Sequence, residues 1–271
     1  MLNALTHKHE AEAREHHAGR PDNCCVMQLT RSDAWESQHT YYDICPWSHD
    51  GRFLLFSSVP VNAAWEEFGH DTLACDKGRV RVMDAQTLET WDVMDDVLYI
   101  KHGGAFCMWH PTEYKVYYRK TADNCAALDL TTGEETLLPP RLRQLSPDGQ
   151  VFSLTTRPVD GGGQGAGAGS MPACGGDVCE LVGRETLHEL TPNRDEFAPE
   201  DMRLGNLKWR PGSQHLLIAM WVYPHPESYR SLYVVGRDGS DPRWLCFFVG
   251  HHSWTPDFDR VLFVDHREGK H

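Results

Sequence analysis

Two adjacent histidines, His251 and His252, stand just before a strand-like run from Arg260 to Asp265. Histidine is the commonest metal ligand and exchanges a proton near neutral pH, so the pair could belong to a metal or catalytic site. Neighbours in a strand face opposite sides of a sheet, and we therefore expect His252 to face away from His251. A metal site also needs three or four protein ligands, which this pair alone does not supply.

Other polar residues lie beside strand-like runs, where a ligand could reach them. His225 and Arg230 belong to WVYPHPESYR, a proline-rich segment between two apolar runs, and His39 precedes YYDICPW. We predict that these three residues contact a ligand. The alternative is that each lies in an ordinary solvated loop.

A repeated motif organises the chain and must position these residues. In each copy a short polar turn leads into an apolar strand, which is the pattern of a β-hairpin. The five copies are CPWSHDGRFLLFSS (45–58), CMWHPTEYKVYYRK (107–120), RQLSPDGQVFSLTT (143–156), LKWRPGSQHLLIAM (207–220) and HSWTPDFDRVLFVD (252–265). Four copies carry a tryptophan close to the turn, a bulky side chain suited to the space between packed sheets.

Hairpins of a second kind alternate with the first. They are VRVMDAQTLETWDV (80–93), CAALDLTTGEETLL (125–138), SLYVVGRDGSDPRWL (231–245) and a weaker copy, CELVGRETLHEL (179–190). One hairpin of each kind makes four strands, the content of one propeller blade. GGGQGAGAGS (161–170) is expected to be a flexible loop inside one blade.

The predicted fold is therefore all-β, a β-propeller of four-stranded blades, with about four and a half blades present. A β-sandwich of hairpins is the alternative, and it is disfavoured because the two motifs recur in a constant order. Residues 1–21 are expected to form a disordered or helical tail, and residues 22–271 the propeller domain. We expect the domain to be C-terminally incomplete and part of a longer propeller, which the family resemblance given below implies is seven-bladed.

Composition restricts the possible partners and the compartment. A net charge of −13, from 39 acidic and 26 basic residues, argues against a nucleic-acid-binding surface. Binding of a polyanion would need a local positive pocket or a metal. No apolar run is long enough for a membrane helix, and the first residues lack a secretory signal. Nine scattered cysteines indicate reduced thiols and a cytoplasmic protein.

The hairpins resemble the WD40-like repeats of TolB-type propellers, and the order of features resembles the oligogalacturonate lyases, a seven-bladed family. The similarity rests on VMQLTRSDAW followed by QHTYYDICPWSHDGRFLLFSS, and on LGNLKWRP (204–211), RSLYVVGRDGSDPR (230–243) and HHSWTPD (251–257). The resemblance implies β-elimination on oligogalacturonides, as in pectin degradation. In that family a divalent metal, usually Mn²⁺, binds the uronate carboxylate, and a histidine removes the neighbouring ring proton.

Carried over by position, the resemblance makes His251 a metal ligand. It places Asn206 where the family has its catalytic histidine, and the remaining ligands, a glutamine and two histidines, would fall beyond residue 271. An asparagine amide is not a base, although it can hydrogen-bond a sugar. No residue of this chain is therefore predicted to be catalytic, and Asn206 is predicted to bind substrate.

Two functional hypotheses follow. The first is a lyase-like propeller acting on uronate-containing oligosaccharides, with Asn206 arguing against turnover and Mn²⁺ as the implied cofactor. The second is a non-catalytic propeller that binds a carbohydrate or a protein on its face. Neither hypothesis includes nucleic acid or a membrane as a partner.

Overall fold

The computed structural model describes residues 2, 5–9, 14–16, 26–41, 43–68, 73–158, 164–223, 230–247, 249–255, 257 and 259–265. These residues form an all-β structure with one short α-helix, and no described helix is long and apolar enough to cross a membrane. The chain divides into two compact units, Met1–Pro140 and Arg141–His271, which are described separately below.

The first unit begins with a six-stranded antiparallel sheet and a small hairpin. Its strands are β1 (Thr6–His9), β2 (Arg14–His16), β3 (Val26–Gln28), β4 (Trp35–His39), β5 (Phe53–Pro60), β6 (Glu66–Glu67), β7 (Leu73–Asp84) and β8 (Thr90–Ile100). The order in the sheet is β1-β8-β7-β5-β4, with β6 paired to β7 and with β2 and β3 paired only to each other. Strands β4, β5, β7 and β8 form the predicted blade, because both motifs contribute alternating apolar residues to it.

A four-stranded sheet completes the first unit. It consists of β9 (Met108–Trp109), β10 (Lys115–Arg119), β11 (Cys125–Asp129) and β12 (Glu135–Leu138) in simple antiparallel order. Asp129 closes the turn between β11 and β12 by accepting hydrogen bonds from the backbone N–H groups of Thr131 and Thr132, at 2.7 and 3.1 Å. Gly133 supplies the positive φ of 80° that the turn requires. The hairpin predicted from DLTTGEE is thereby confirmed.

The core of the first unit lies between its two sheets. Leu55, Val80, Val82 and Val97 from the first sheet are fully buried in one cluster with Val116 and other residues of the second. Burial of this apolar surface is the main stabilising contribution, worth about 1.5–3 kcal/mol for each large side chain.

The second unit contains one continuous antiparallel sheet and a separate hairpin. The strands are β13 (Leu142–Leu145), β14 (Val151–Pro158), β15 (Gly165–Pro172), β16 (Cys179–Gly183), β17 (Met202–Trp209), β18 (His215–Val222), β19 (Ser231–Gly236), β20 (Arg243–Phe247), β21 (Val249–Trp254) and β22 (Val261–Asp265). Strands β13–β16 and β17–β20 are two blades, joined through one pair, Gly165 and Leu204. Strands β21 and β22 form a separate two-stranded hairpin that carries the fifth copy of the first motif.

Four four-stranded blades and one further hairpin are thus present, as the repeats predict. The all-β propeller fold is confirmed.

The structure differs from the sequence-based expectation at the N-terminus. Among the described residues of 1–21, Thr6–His9 (β1) pairs with β8 and Arg14–His16 (β2) pairs with β3, so these two segments are strands and not helix. Strand β1 covers the free edge of β8 and is tied to that sheet by an ion pair, Lys8 to Glu89 at 2.6 Å, and by a hydrogen bond between His9 and Asp92 at 3.1 Å. An open sheet edge offers unpaired backbone groups, and pairing with it outweighs a weak helix propensity.

The glycine-rich segment GGGQGAGAGS (161–170), predicted to be a flexible loop, also differs from its prediction in its described part. Gly165–Pro172 is a central strand, paired with β14 on one side and β16 on the other, and not a flexible loop. Gly167 faces Thr156 and the carboxylate of Glu180, which lie where a side chain would otherwise stand. The weak fourth hairpin is only half a hairpin, because Arg184–Leu190 forms α1 with Leu187 fully buried. The run RETLHEL is made mostly of good helix formers.

Candidate functional site

The first strand of each blade in the second unit carries one extra residue. The pairing shifts by one between Leu142 and Leu145 in β13, between Gly205 and Lys208 in β17, and between Gly250 and Ser253 in β21. Such bulges bend a strand and re-aim its side chains, and they are frequent beside functional sites.

Asn206 and His251 occupy equivalent places in two of these bulges. Each lies three residues before the tryptophan of its repeat, and each has a left-handed backbone, with φ of 45° and 39°. Phe106 in the first unit has the same spacing and a φ of 48°. The left-handed region is unfavourable for residues other than glycine, although asparagine tolerates it best. The repeat therefore imposes an unusual backbone at one recurring position.

His252 is the inward-facing member of the histidine pair. Its side chain is almost fully buried, whereas His251 is exposed, so the burial pattern agrees with the predicted alternation. The Nε2 atom of His252 lies 3.0 Å from the backbone carbonyl of Asn206. A carbonyl can only accept, so Nε2 carries the ring proton and donates it. The bulges of β17 and β21 are joined by this bond.

Lys208 adds two hydrogen bonds to this contact between β17 and β21, which we call the junction. Its ammonium is buried and donates to the backbone carbonyl of His252, while the indole N–H of Trp254 donates to the carbonyl of Lys208 at 3.3 Å. Burial, together with the positive charge of Lys208, lowers the pKa of His252 from 6.5 to about 3. His252 is consequently neutral at physiological pH, and a base this weak is unsuited to removing a carbon-bound proton.

The side chain of Asn206 is more accessible to a ligand than that of His252. Its side chain is half-buried, and its carboxamide forms no hydrogen bond with a described residue. One carbonyl and two N–H groups are therefore available to a ligand. The exposed imidazole of His251 belongs to the strand that His252 ties to Asn206, although His251 itself has interactions with the protein.

The remaining predicted residues are placed as follows. His39 is exposed at the end of β4, in the first unit. Arg230 is half-buried immediately before β19 and interacts with other residues. His225 lies outside the described residues. Of the predicted set, Asn206 and His251 are the two residues whose strands the structure joins, through the bond from His252.

The residues that the structure describes do not fit a manganese site. Among the described parts of the chain, no group of three or more histidine, cysteine, aspartate or glutamate side chains could hold a metal ion. His251 is thus a single potential ligand in this part of the structure, and the buried cation of Lys208, bonded to the carbonyl of the next residue, would repel a metal.

Two members of this junction, Lys208 and His252, were not predicted to be functional. Lys208 reads in the sequence as one polar residue between Leu207 and Trp209, and a bulge leaves no local sequence signal. The one available hint is positional, since Asn206 and His251 have the same offset from the repeat's tryptophan.

Comparison with known proteins shows similarity at the level of structure. No protein-family model matches the sequence, and no curated protein matches it. Among solved structures, an oligogalacturonate lyase from Vibrio parahaemolyticus is 11% identical, with a TM-score of 0.48 over 95% of this chain and 78% of that one. An oligogalacturonate lyase in complex with manganese is 12% identical, with a TM-score of 0.47 over 94% and 78%.

TolB from Acinetobacter baumannii is also similar. It is 10% identical and has a TM-score of 0.52 over 88% of this chain, which spans 50% of TolB. Identities this low establish architecture and not activity. With its recurring four-stranded blades, the chain has the β-propeller fold of TolB-type proteins.

Proposed function

We propose that this chain is a ligand-binding propeller whose ligand is a uronate-containing oligosaccharide, bound without β-elimination by the described residues. The observation that carries the proposal is the carboxamide of Asn206, held at a bulge beside the histidine pair and without a hydrogen bond to any described residue. Carboxamides suit sugars because one group can donate to a carboxylate and accept from a hydroxyl. The sequence segments that resemble oligogalacturonate lyases support the uronate class.

Elimination would need a base and a group that stabilises the developing negative charge. Asn206 is not a base, and His252 is buried with a pKa of about 3. The described residues hold no cluster of metal ligands. Lyase activity is nevertheless the second candidate, favoured by the exposed His251 at the position to which the resemblance assigns a metal ligand.

Calorimetric titration with a galacturonate trisaccharide, with and without Mn²⁺, tests the proposal. We expect binding without the ultraviolet absorbance of an unsaturated product. Asn206→Gly removes the carboxamide and keeps the left-handed backbone, so it should raise Kd about tenfold, the value of one good hydrogen bond. The matched control is Asn193→Ala, an exposed asparagine away from the junction.

Absence of uronate binding by the wild-type chain would contradict the proposal. A manganese-dependent rise in unsaturated product would instead establish the lyase. Asn206→His is the sharpest variant for that alternative, since restored turnover would show that the rest of a catalytic site is present.

A further inference from the structure

We infer that the first unit carries its own sugar-binding surface, formed by Tyr41, Trp65, Lys101, His102 and Phe106. It would stack pyranose rings on its aromatic side chains and pair a ring carboxylate with Lys101. We call it the aromatic surface. The inference rests on the proposed function for its ligand class, but it concerns different residues.

Three rings form one part of the aromatic surface. The centroids of Tyr41 and Phe106 are 5.8 Å apart with an interplanar angle of 27°, and those of Tyr41 and His102 are 6.3 Å apart. Tyr41 and Phe106 are half-buried, and His102 is exposed. The rings therefore pack against one another and still present surface to solvent.

Gln38 fixes these rings relative to the blade. Its amide N–H donates to the carbonyl of His102 at 3.2 Å, and its amide oxygen accepts from the hydroxyl of Tyr99 at 3.2 Å. The segment that leads into the first blade is thus bonded to the loop after β8. This is the region of the predicted ligand contact at His39, which follows Gln38 in β4.

Trp65 and Lys101 form the second part. Trp65 lies in the long connection between β5 and β7, packs edge-on against Tyr99 at 6.1 Å, and has the ammonium of Lys101 5.7 Å from its ring centroid. Lys101 is exposed and makes no ion pair with another described residue. A cation beside an indole face is suited to a ligand that has both an apolar face and a negative group.

The guanidinium of Arg119 packs against one ring of the aromatic surface. Its side chain is buried, with the guanidinium 5.7 Å from the centroid of Phe68 and 5.1 Å from that of Phe106. The backbone N–H of Arg119 also donates to the carbonyl of Ala105 at 2.9 Å. Phe106 is consequently held between Tyr41 and a cation.

Two glycines in the loop from Lys101 to Phe106 allow close contacts with neighbouring side chains. A Cβ on Gly103 would lie 2.6 Å from the ring of Phe106, and one on Gly104 would overlap the hydroxyl of Ser57. Phe106 itself has a φ of 48°, which is rare for a bulky residue and persists only where the surroundings impose it. It is the same recurring position that Asn206 and His251 occupy in the second unit.

The charges select among ligands that could stack on aromatic rings. The chain has a net charge of −13, and Glu66 and Glu67 are exposed on β6, close in sequence to Trp65. These acids disfavour a ligand as densely charged as nucleic acid, whereas Lys101 and His102 offer a local site for an isolated carboxylate. A uronate oligosaccharide has one carboxylate for each ring, and each ring has an apolar face.

The test compares Tyr41→Ala and Lys101→Ala in the full chain. Titrations use a galacturonate trisaccharide, its neutral methyl ester and an oligothymidylate. We expect Tyr41→Ala to raise Kd about tenfold for both sugars, because stacking does not depend on charge. Lys101→Ala should raise Kd about threefold to tenfold for the acid and leave the ester unchanged. Matched controls are the exposed Trp47→Ala and Lys77→Ala.

The outcomes separate this inference from the proposed function. If the wild-type chain binds the acid and Asn206→Gly weakens that binding, but Tyr41→Ala and Lys101→Ala do not, the aromatic surface is not a sugar site. If the wild-type chain binds neither sugar, both proposals are wrong. Binding of the oligothymidylate alone would also overturn the inference. Thermal unfolding followed by circular dichroism confirms that the variants are folded.

Discussion

The imidazole of His252 donates its Nε2 proton to the backbone carbonyl of Asn206 across 3.0 Å, and this bond joins the bulges of two neighbouring blades. His252, which the sequence pairs with His251 as a possible metal ligand, therefore has a structural role. The bond uses the backbone carbonyl of Asn206, whose carboxamide has no hydrogen bond to a described residue, and His251 is the exposed member of the pair.

The first prediction concerns acid sensitivity through His252. Its pKa is about 3 in the folded chain and near 6.5 when unfolded. Between these values only the unfolded state binds the proton, so the free energy of unfolding falls as pH falls, by about 1 kcal/mol per pH unit. His252→Gln keeps a donor but removes the titration, so its urea midpoint should fall less between pH 6.5 and pH 4. His251→Gln is the control, and parallel curves for wild type and His252→Gln would contradict the assignment.

The second prediction concerns the buried ion pair of Asp92. Its carboxylate is 2.9 Å from Nε of Arg81, also buried, and 3.3 Å from Arg79. Asp92→Asn leaves the guanidinium of Arg81 without its counter-charge, so we expect a loss of about 3–5 kcal/mol in the free energy of unfolding. Urea denaturation measures the loss. Asp95→Asn, which changes an exposed partner of Arg79, should cost less than about 1 kcal/mol, and equal losses would count against the pair.

The third prediction concerns the central glycine strand. A Cβ on Gly165 would overlap the backbone carbonyl oxygen of Thr156. We expect Gly165→Ala to lower the free energy of unfolding by about 1–3 kcal/mol, because the backbone of the paired strand β14 must move. Ser170→Ala on the same strand is the control. If Gly165→Ala were as stable as wild type, the close approach of β14 to β15 at this position would be wrong.

The fourth prediction concerns thiol reactivity. Burial raises the pKa of the Cys107 thiol to about 12, so almost no thiolate forms at neutral pH. Brief treatment with iodoacetamide should label the exposed Cys45, Cys174 and Cys179 and spare Cys107 until the chain is unfolded in urea. Peptide mapping by mass spectrometry gives the answer. Early labelling of Cys107 would show that the core between the two sheets of the first unit opens readily.

The sequence alone was sufficient for most of the blade hairpins, because hairpins depend on local interactions. Turn residues such as Asp129 and Gly133 bond within a few positions of themselves, and alternating apolar residues select the buried face of a strand. The five turn motifs and their order therefore predicted the all-β propeller.

The tertiary structure alone decided which side chains are available for chemistry. The bulges arise from pairing between strands, the burial of His252 from packing of β21 beside β17, and the strand conformation of Gly165–Pro172 from the two neighbours that cover it. The tertiary structure likewise brings Tyr41 against Phe106 and Trp65 against Tyr99, from segments far apart in the sequence. Such contacts depend on which distant backbone groups find partners, and no local pattern of residues encodes that choice.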